Sequence, residues 1–187
     1  IEEAQAYSNA IKDFCFIPGV ELSTEFEKEE VHILGYAINR NYDELNNKLE
    51  EMKNHRKTRT VRIVEKLNDL GFDISYEEVQ SLAKGVIGRP HIGEILISKG
   101  YAKNMQEVFN TYLKIGGAAY VPRYKLTPLE AIGLIKNAGG VPVLAHPGLI
   151  KNQEVINKTI SYGIEGIEVY YPTHSNNQIS GLLKLAK

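Results

Sequence analysis

The sequence predicts an α/β fold in which a parallel sheet or partial barrel is interrupted by an all-helical block. Three observations carry that expectation. Apolar runs of strand length alternate with helical patterns toward both ends of the chain. Between them, residues 42–118 hold helical periodicity and no clear strand. Only four strand-like runs are present in 187 residues. A closed (β/α)₈ barrel takes about 250 residues, so either the sheet is open or part of the barrel lies outside this sequence.

Ile1 to Asp13 reads as the end of a helix. Phe14 to Leu22 is a β-rich run containing Pro18-Gly19, and an acidic turn follows from Glu25 to Glu30. Val31 to Ile38 is a second strand, almost wholly apolar apart from His32. Runs of that kind suit strands buried on both faces. From Tyr42, the residues Leu45, Leu49, Met52, Ile63 and Leu67 recur at helical spacing, with Gly71 as a stop. Ser75 and Glu78 form a capping box for a helix from Tyr76 to Ala83. Pro90 to Lys99 and Asn104 to Lys114 read as two further helices. Thr127, with Pro128 and Glu130, opens a helix that stops at Ala138-Gly139-Gly140. Strand, helix, strand and helix then follow as Val141–Ala145, Lys151–Tyr162, Ile164–Tyr170 and Ser175–Lys187.

The composition is that of an ordinary globular protein, 43% hydrophobic and 24% charged, with a net charge of −1. Such a chain has no global attraction for long nucleic acid or for a membrane surface, so any anion recognition must be local. No apolar stretch approaches the roughly 20 residues of a membrane span. The single cysteine, Cys15 in Phe14-Cys15-Phe16-Ile17, excludes an internal disulfide and suits a reducing cytoplasm. Its apolar neighbours predict a buried position.

Four strand-like runs carry a side chain able to bind metal: Glu21, His32, His146 and Glu168, with His174 just beyond the last run. A single strand histidine or glutamate is most simply a hydrogen-bonded or ion-paired residue. Four together argue otherwise, because parallel α/β folds gather their chemistry at the carboxyl ends of strands. Glu21, His146 and His174 fall at or after such ends. A mixed imidazole and carboxylate set suits Zn, Mn or Fe.

In the helical block, Gly88-Arg89-Pro90-His91 places an arginine and a histidine at a helix amino terminus. That end favours anions, and the guanidinium fork can hold a phosphate by two bonds. A surface turn whose arginine pairs with a carboxylate remains the simpler alternative from this motif alone. Arg56 falls on the Leu45, Leu49 and Met52 stripe and is expected to face inward or toward a neighbour, in an ion pair or beside an anion.

The ordered set Gly19-Val20-Glu21, Val31-His32-Ile33-Leu34-Gly35-Tyr36, Arg89-Pro90-His91, Ala145-His146-Pro147-Gly148 and Glu168-Val169 resembles the PHP (polymerase and histidinol phosphatase) family. Within it, the set is most similar to phosphoesterases acting on nucleoside 3′,5′-bisphosphates and short RNA ends. The resemblance implies a distorted (β/α)₇ barrel with a cluster of two or three divalent metal ions, and an inserted helical subdomain. It implies a discontinuous barrel core at 1–41 and 119–187 and the insertion at 42–118. Glu21, His32 and His146 are the implied metal ligands, with Arg89 and His91 as a phosphate clamp. His146 and His174 are the implied catalytic residues, His174 also touching phosphate, and Glu168 has no assigned role.

The implied activity is hydrolysis of a phosphomonoester or terminal phosphodiester of a small nucleotide or short oligonucleotide, through metal-activated water. A histidinol phosphatase, a polymerase-associated nuclease and a non-catalytic binding module are the alternatives. The family's His-x-His strand, Asp-His-Asp segment and closing Asp-x-His motif do not occur in this sequence. The expectation is therefore a barrel lacking its amino- and carboxyl-terminal parts.

Overall fold

A computed structural model describes residues 1–83 and 85–187; Lys84, within the expected helical block, lies outside the described residues. The contacts divide the chain into two compact units, Ile1–Asn46 with Lys125–Lys187, and Asn47–Tyr124. The architecture is α/β, as the sequence predicts, with a small sheet and many helices.

The first unit holds a four-stranded sheet in the order β1 (Gly19–Phe26), β2 (Glu29–Tyr36), β3 (Val141–Leu144) and β4 (Gly166–Ile167). Only β3 and β4 are parallel; β1–β2 and β2–β3 are antiparallel. The expected parallel rhythm fails at the first pair because the acidic segment is mostly strand. Glu27 and Lys28 alone make the turn, both with positive φ (50° and 69°), the backbone of a type I′ hairpin. That turn usually carries Asn or Gly, so Glu-Lys gives no signal.

β2 is buried on one face only. Val31, Ile33 and Gly35 are buried while His32 and Leu34 are half-exposed, the alternation of an antiparallel strand. Leu22 and Thr24 of β1 share the buried side. Helix α6 (Pro128–Asn137) packs against β1, β2 and β3. The Thr127 capping box is present, with Pro128 in the first turn. At Gly35 the approach is so close that a Cβ would lie 2.9–3.2 Å from three Ile135 side-chain atoms.

Two expectations near the amino terminus do not hold. Helix α1 covers Glu2–Asn9, and the strand starts only at Gly19. The run before it has no strand partner, so Phe14 and Ile17 are exposed, and so is Cys15. After β3, a 3₁₀ turn (Pro147–Leu149) leads to α7 (Gln153–Ser161), and α8 (Asn176–Leu185) closes the described chain. The strand expected from Ile164 to Tyr170 shortens to the two residues of β4.

In the second unit, α2 (Asp43–Asp69) contributes its later turns, with Ile63, Val64 and Leu67 in the core. They pack with Ile74 and with Val79 of α3 (Tyr76–Leu82), and with Ile92, Ile95 and Leu96 of α4 (Arg89–Ser98). Ser75 and Glu78 form the predicted capping box. The helix expected from Asn104 to Lys114 is α5 (Met105–Val108) continued by a π-helical segment, Phe109–Leu113. Arg56 is exposed rather than inward-facing; after Leu45, the next buried residue of α2 is Thr60, one turn beyond it. Among the described residues, no helix is long and apolar enough to cross a membrane.

Candidate metal centre

Three of the five histidine and glutamate positions singled out along the strands converge. One atom from each of Glu21, His32 and His146 lies within 4.8 Å of the others. Strand geometry explains the first two. Glu21 pairs with Leu34 across the β1–β2 ladder, so His32 is its diagonal neighbour on the same face, within reach of long side chains. His32 Nδ1 stands 2.8 Å from Glu21 Oε1. β3 adds the third residue. The Ala145 N–H donates to the His32 carbonyl at 3.0 Å, which holds the next residue, His146, beside His32. The two rings meet edge to face, centroids 4.9 Å apart, and His146 Nε2 is 3.6 Å from Glu21 Oε1.

Both imidazoles are largely shielded, with side chains 22% and 17% exposed, whereas the Glu21 side chain is 50% exposed. The cluster is therefore open to solvent on the carboxylate side. Two imidazole nitrogens and a carboxylate oxygen form a donor set that Zn²⁺ and Mn²⁺ accept, and three protein ligands leave coordination positions for water or substrate. The residues thus fit a divalent ion.

One neighbour was not singled out from sequence. Glu30 Oε1 lies 2.9 Å from His32 Nε2. Glu30 and His32 are two apart in one strand and so share a face. Extending β2 back to Glu29 would have revealed it.

Glu168 and His174 lie next to the cluster and engage its backbone. Glu168 Oε2 accepts the His146 N–H at 2.7 Å. His174 is 8% exposed, and both ring nitrogens have partners in the chain. Nδ1 is 2.9 Å from the Val169 carbonyl, and Nε2 accepts the Gly148 N–H at 3.2 Å. Both ring nitrogens of His174 thus face backbone groups in this arrangement. The Tyr171 ring lies beside both histidines, 5.0 Å from His146 and 5.4 Å from His174.

In the helical unit, Arg89 opens α4 and is half-buried. Its guanidinium lies 5.2 Å from the Phe109 ring centroid, and Nη1 donates to the Leu113 carbonyl at 3.1 Å. His91 Nδ1 accepts the Gly88 N–H at 3.1 Å, which caps the helix and commits one ring nitrogen. Arg59, which sequence reasoning passed over in favour of Arg56, donates Nε–H to the Val121 carbonyl at 2.8 Å. Burial pushes its pKa down, and so does the nearby Arg89 guanidinium; Tyr120 acts the other way, while Arg123 and Arg56 add to the lowering. Positive charge is therefore concentrated around Arg59 and Arg89.

No protein-family model matches the chain. It is 38% identical over 133 residues to the 5′-3′ exoribonuclease Rnm of Escherichia coli, covering 71% of this chain and 45% of that protein. It is 30% identical over 167 residues to the 3′,5′-nucleoside bisphosphate phosphatase of Chromobacterium violaceum, covering 86% of this chain and 59% of that one. A crystal structure from Bifidobacterium adolescentis, named for a metal-dependent phosphoesterase, superposes with a TM-score of 0.82 at 27% identity. That match covers 99% of this chain and 68% of the other. The chain spans about half the length of the curated relatives it matches.

Proposed function

We propose that the chain carries part of the active site of a metal-dependent phosphoester hydrolase of the PHP type, a reading supported by its similarity to an exoribonuclease, a nucleoside bisphosphate phosphatase and a metal-dependent phosphoesterase structure. The observation that carries this reading is the convergence of Glu21, His32 and His146 in a chain homologous to an exoribonuclease and a bisphosphate phosphatase. Those three residues would hold a divalent ion, Mn, Zn or Fe, in a centre of two or three ions. When bound, it supplies Lewis-acid polarisation of a phosphoryl oxygen and lowers the pKa of water.

The remaining chemistry rests on the chain's own residues. Glu21 is the most exposed of the three. Arg89 contributes a fixed fork for a phosphate, since Phe109 and Leu113 restrict its guanidinium. His91 keeps Nε2 for the same anion while Nδ1 caps the helix. The substrate class is a small nucleotide or short oligonucleotide bearing a phosphomonoester or terminal phosphodiester. Residues 1–41 and 119–187 form the catalytic core, 42–118 form a substrate-binding insertion, and the working compartment is the cytoplasm.

Metal content of the purified chain, measured by mass spectrometry beside a His146→Ala control, tests the reading. Metal bound by the chain and lost from the control is expected, as is turnover of nucleoside 3′,5′-bisphosphate or 5′-phosphorylated RNA in preference to histidinol phosphate. Unchanged metal content in the control would refute the assignment of His146.

A further inference from the structure

The least ordinary backbone at the metal centre is that of His146 itself. Its φ of 30° and ψ of 54° lie in the left-handed region, which a non-glycine residue adopts uncommonly. Such a conformation persists only where its surroundings over-determine it. Three side chains hold this turn. The Glu168 carboxylate accepts the His146 N–H at 2.7 Å. The Gly148 N–H donates to His174 Nε2 at 3.2 Å. Gln178 Nε2 donates to the Gly148 carbonyl at 2.6 Å.

The fit leaves no room for a side chain at Gly148, where a Cβ would lie 2.7 and 2.8 Å from His174 ring atoms and 2.9 Å from Gln178 Nε2. The latch is anchored in turn. His174 is fixed through Nδ1 to the Val169 carbonyl. Gln178 Oε1 accepts from both the backbone N–H and the hydroxyl of Ser175, capping α8. None of the three side chains is spent on the metal cluster itself.

We propose that Glu168, His174 and Gln178 are positioning residues: they lock the His146-Pro147-Gly148 turn in the left-handed conformation that presents the His146 ring to Glu21 and His32. The inference rests on the reading of His146 as a metal ligand. It gives Glu168 and His174 work on the backbone rather than on the metal or the phosphate. Partners outside the ligand set that orient a metal ligand typically change metal affinity 10- to 100-fold when removed.

Conservative variants separate positioning from ligation. Glu168→Gln keeps an oxygen acceptor for the His146 N–H, and Glu168→Ala does not. Gln178→Glu keeps the cap of α8 but removes the donor to Gly148. The measurement is Mn²⁺ affinity of the whole chain by calorimetry, beside hydrogen exchange of the His146 and Gly148 amides without metal. Circular dichroism confirms that each variant is folded. Expected are about 10- to 100-fold weaker Mn²⁺ binding and faster amide exchange in Glu168→Ala and Gln178→Glu, with Glu168→Gln close to the parent.

Equal loss in Glu168→Gln and Glu168→Ala, with the His146 amide still protected, would overturn the proposal by making Glu168 a ligand. Parent-like affinity and exchange in Glu168→Ala and Gln178→Glu would overturn it as well. Failure of the parent chain to bind Mn²⁺ would count against the metal reading alone. In that case the amide exchange decides the latch, upheld by protection lost in Glu168→Ala and kept in Glu168→Gln, and overturned by any other pattern.

Discussion

Replacing Gly35 by alanine should destabilise the sheet and leave the metal cluster nearly intact. A Cβ at this position would lie 2.9, 3.0 and 3.2 Å from Cγ1, Cγ2 and Cδ1 of Ile135, whereas ordinary contact begins nearer 3.5 Å. Ile135 is fully buried in α6, so its side chain cannot swing away, and the strand and helix must separate slightly. Overpacking of this kind costs about 1–3 kcal/mol. The lost freedom of glycine in the unfolded chain returns about 0.4–1 kcal/mol. The net is a loss of about 1–2 kcal/mol, a fall in Tm of about 3–6 °C for a chain of this size.

Thermal or urea unfolding reads the loss directly. Ile135→Ala removes all three clashing atoms and alone costs about 2–5 kcal/mol. In the double variant the new methyl occupies part of the vacated space, so its cost should fall short of the sum by about 1 kcal/mol. Mn²⁺ affinity should change little, because Glu21 and His32 are related through the β1–β2 ladder rather than through α6. Parent-like stability of Gly35→Ala, or strict additivity in the double variant, would refute the packing argument.

Arg89→Ala should weaken inorganic phosphate binding by about 10- to 100-fold, the loss of one or two bonds to a charged group, and Arg89→Lys should fall between because an ammonium lacks the fork. Calorimetric titration with phosphate measures both, and unchanged affinity would remove Arg89 from the site. Lys99, paired at 2.6 Å, holds the Glu78 carboxyl below its usual range, helped by the Ser75 N–H. A depressed folded pKa gives stability that is present above the ordinary glutamate value of about 4.3 and lost as pH falls toward the folded value. Glu78→Gln should therefore flatten the acid limb of a Tm-against-pH curve, and parallel curves would contradict this. Thr127→Ala should cost about 1 kcal/mol through the lost cap of α6, with Thr127→Ser nearly neutral; unfolding by urea distinguishes them.

What was legible in the sequence is what is decided locally. The Ser75 and Thr127 caps and the turn after His146 announce themselves within four or five residues, and the long helix before Gly71 through the spacing of its apolar residues. The antiparallel hairpin did not, because Glu27 and Lys28 adopt a backbone that their side chains do not favour. Cys15 was misplaced because its apolar neighbours say nothing about whether a partner strand exists. Arg56 and Arg59 differ by less than one helical turn, and it is Arg59 that reaches the Val121 carbonyl. The hydrogen bonds of Glu168 and His174 to backbone groups of the His146 turn were unreadable for a different reason: such side-chain-to-backbone partners leave no motif.

The convergence of Glu21, His32 and His146 depends on a register that none of the three sets. Side chains in a strand alternate with a period of 2, so a slip of one residue between β1 and β2 would send Glu21 to the opposite face from His32. The two-residue turn at Glu27-Lys28 fixes that register, and the burial of Val31, Ile33 and Gly35 together fixes which face of β2 turns inward. His32 is thereby placed on the far face, away from the helix, with Glu21 on its diagonal and Glu30 two residues behind. His146 cannot join them by strand alternation, because β3 ends at Leu144. It arrives instead through a left-handed turn tied down by Glu168, His174 and Gln178. Two of the three donors are therefore set by sheet register and the third by a side-chain latch, so substitutions at the hairpin turn and at the latch should disturb the same centre by independent routes.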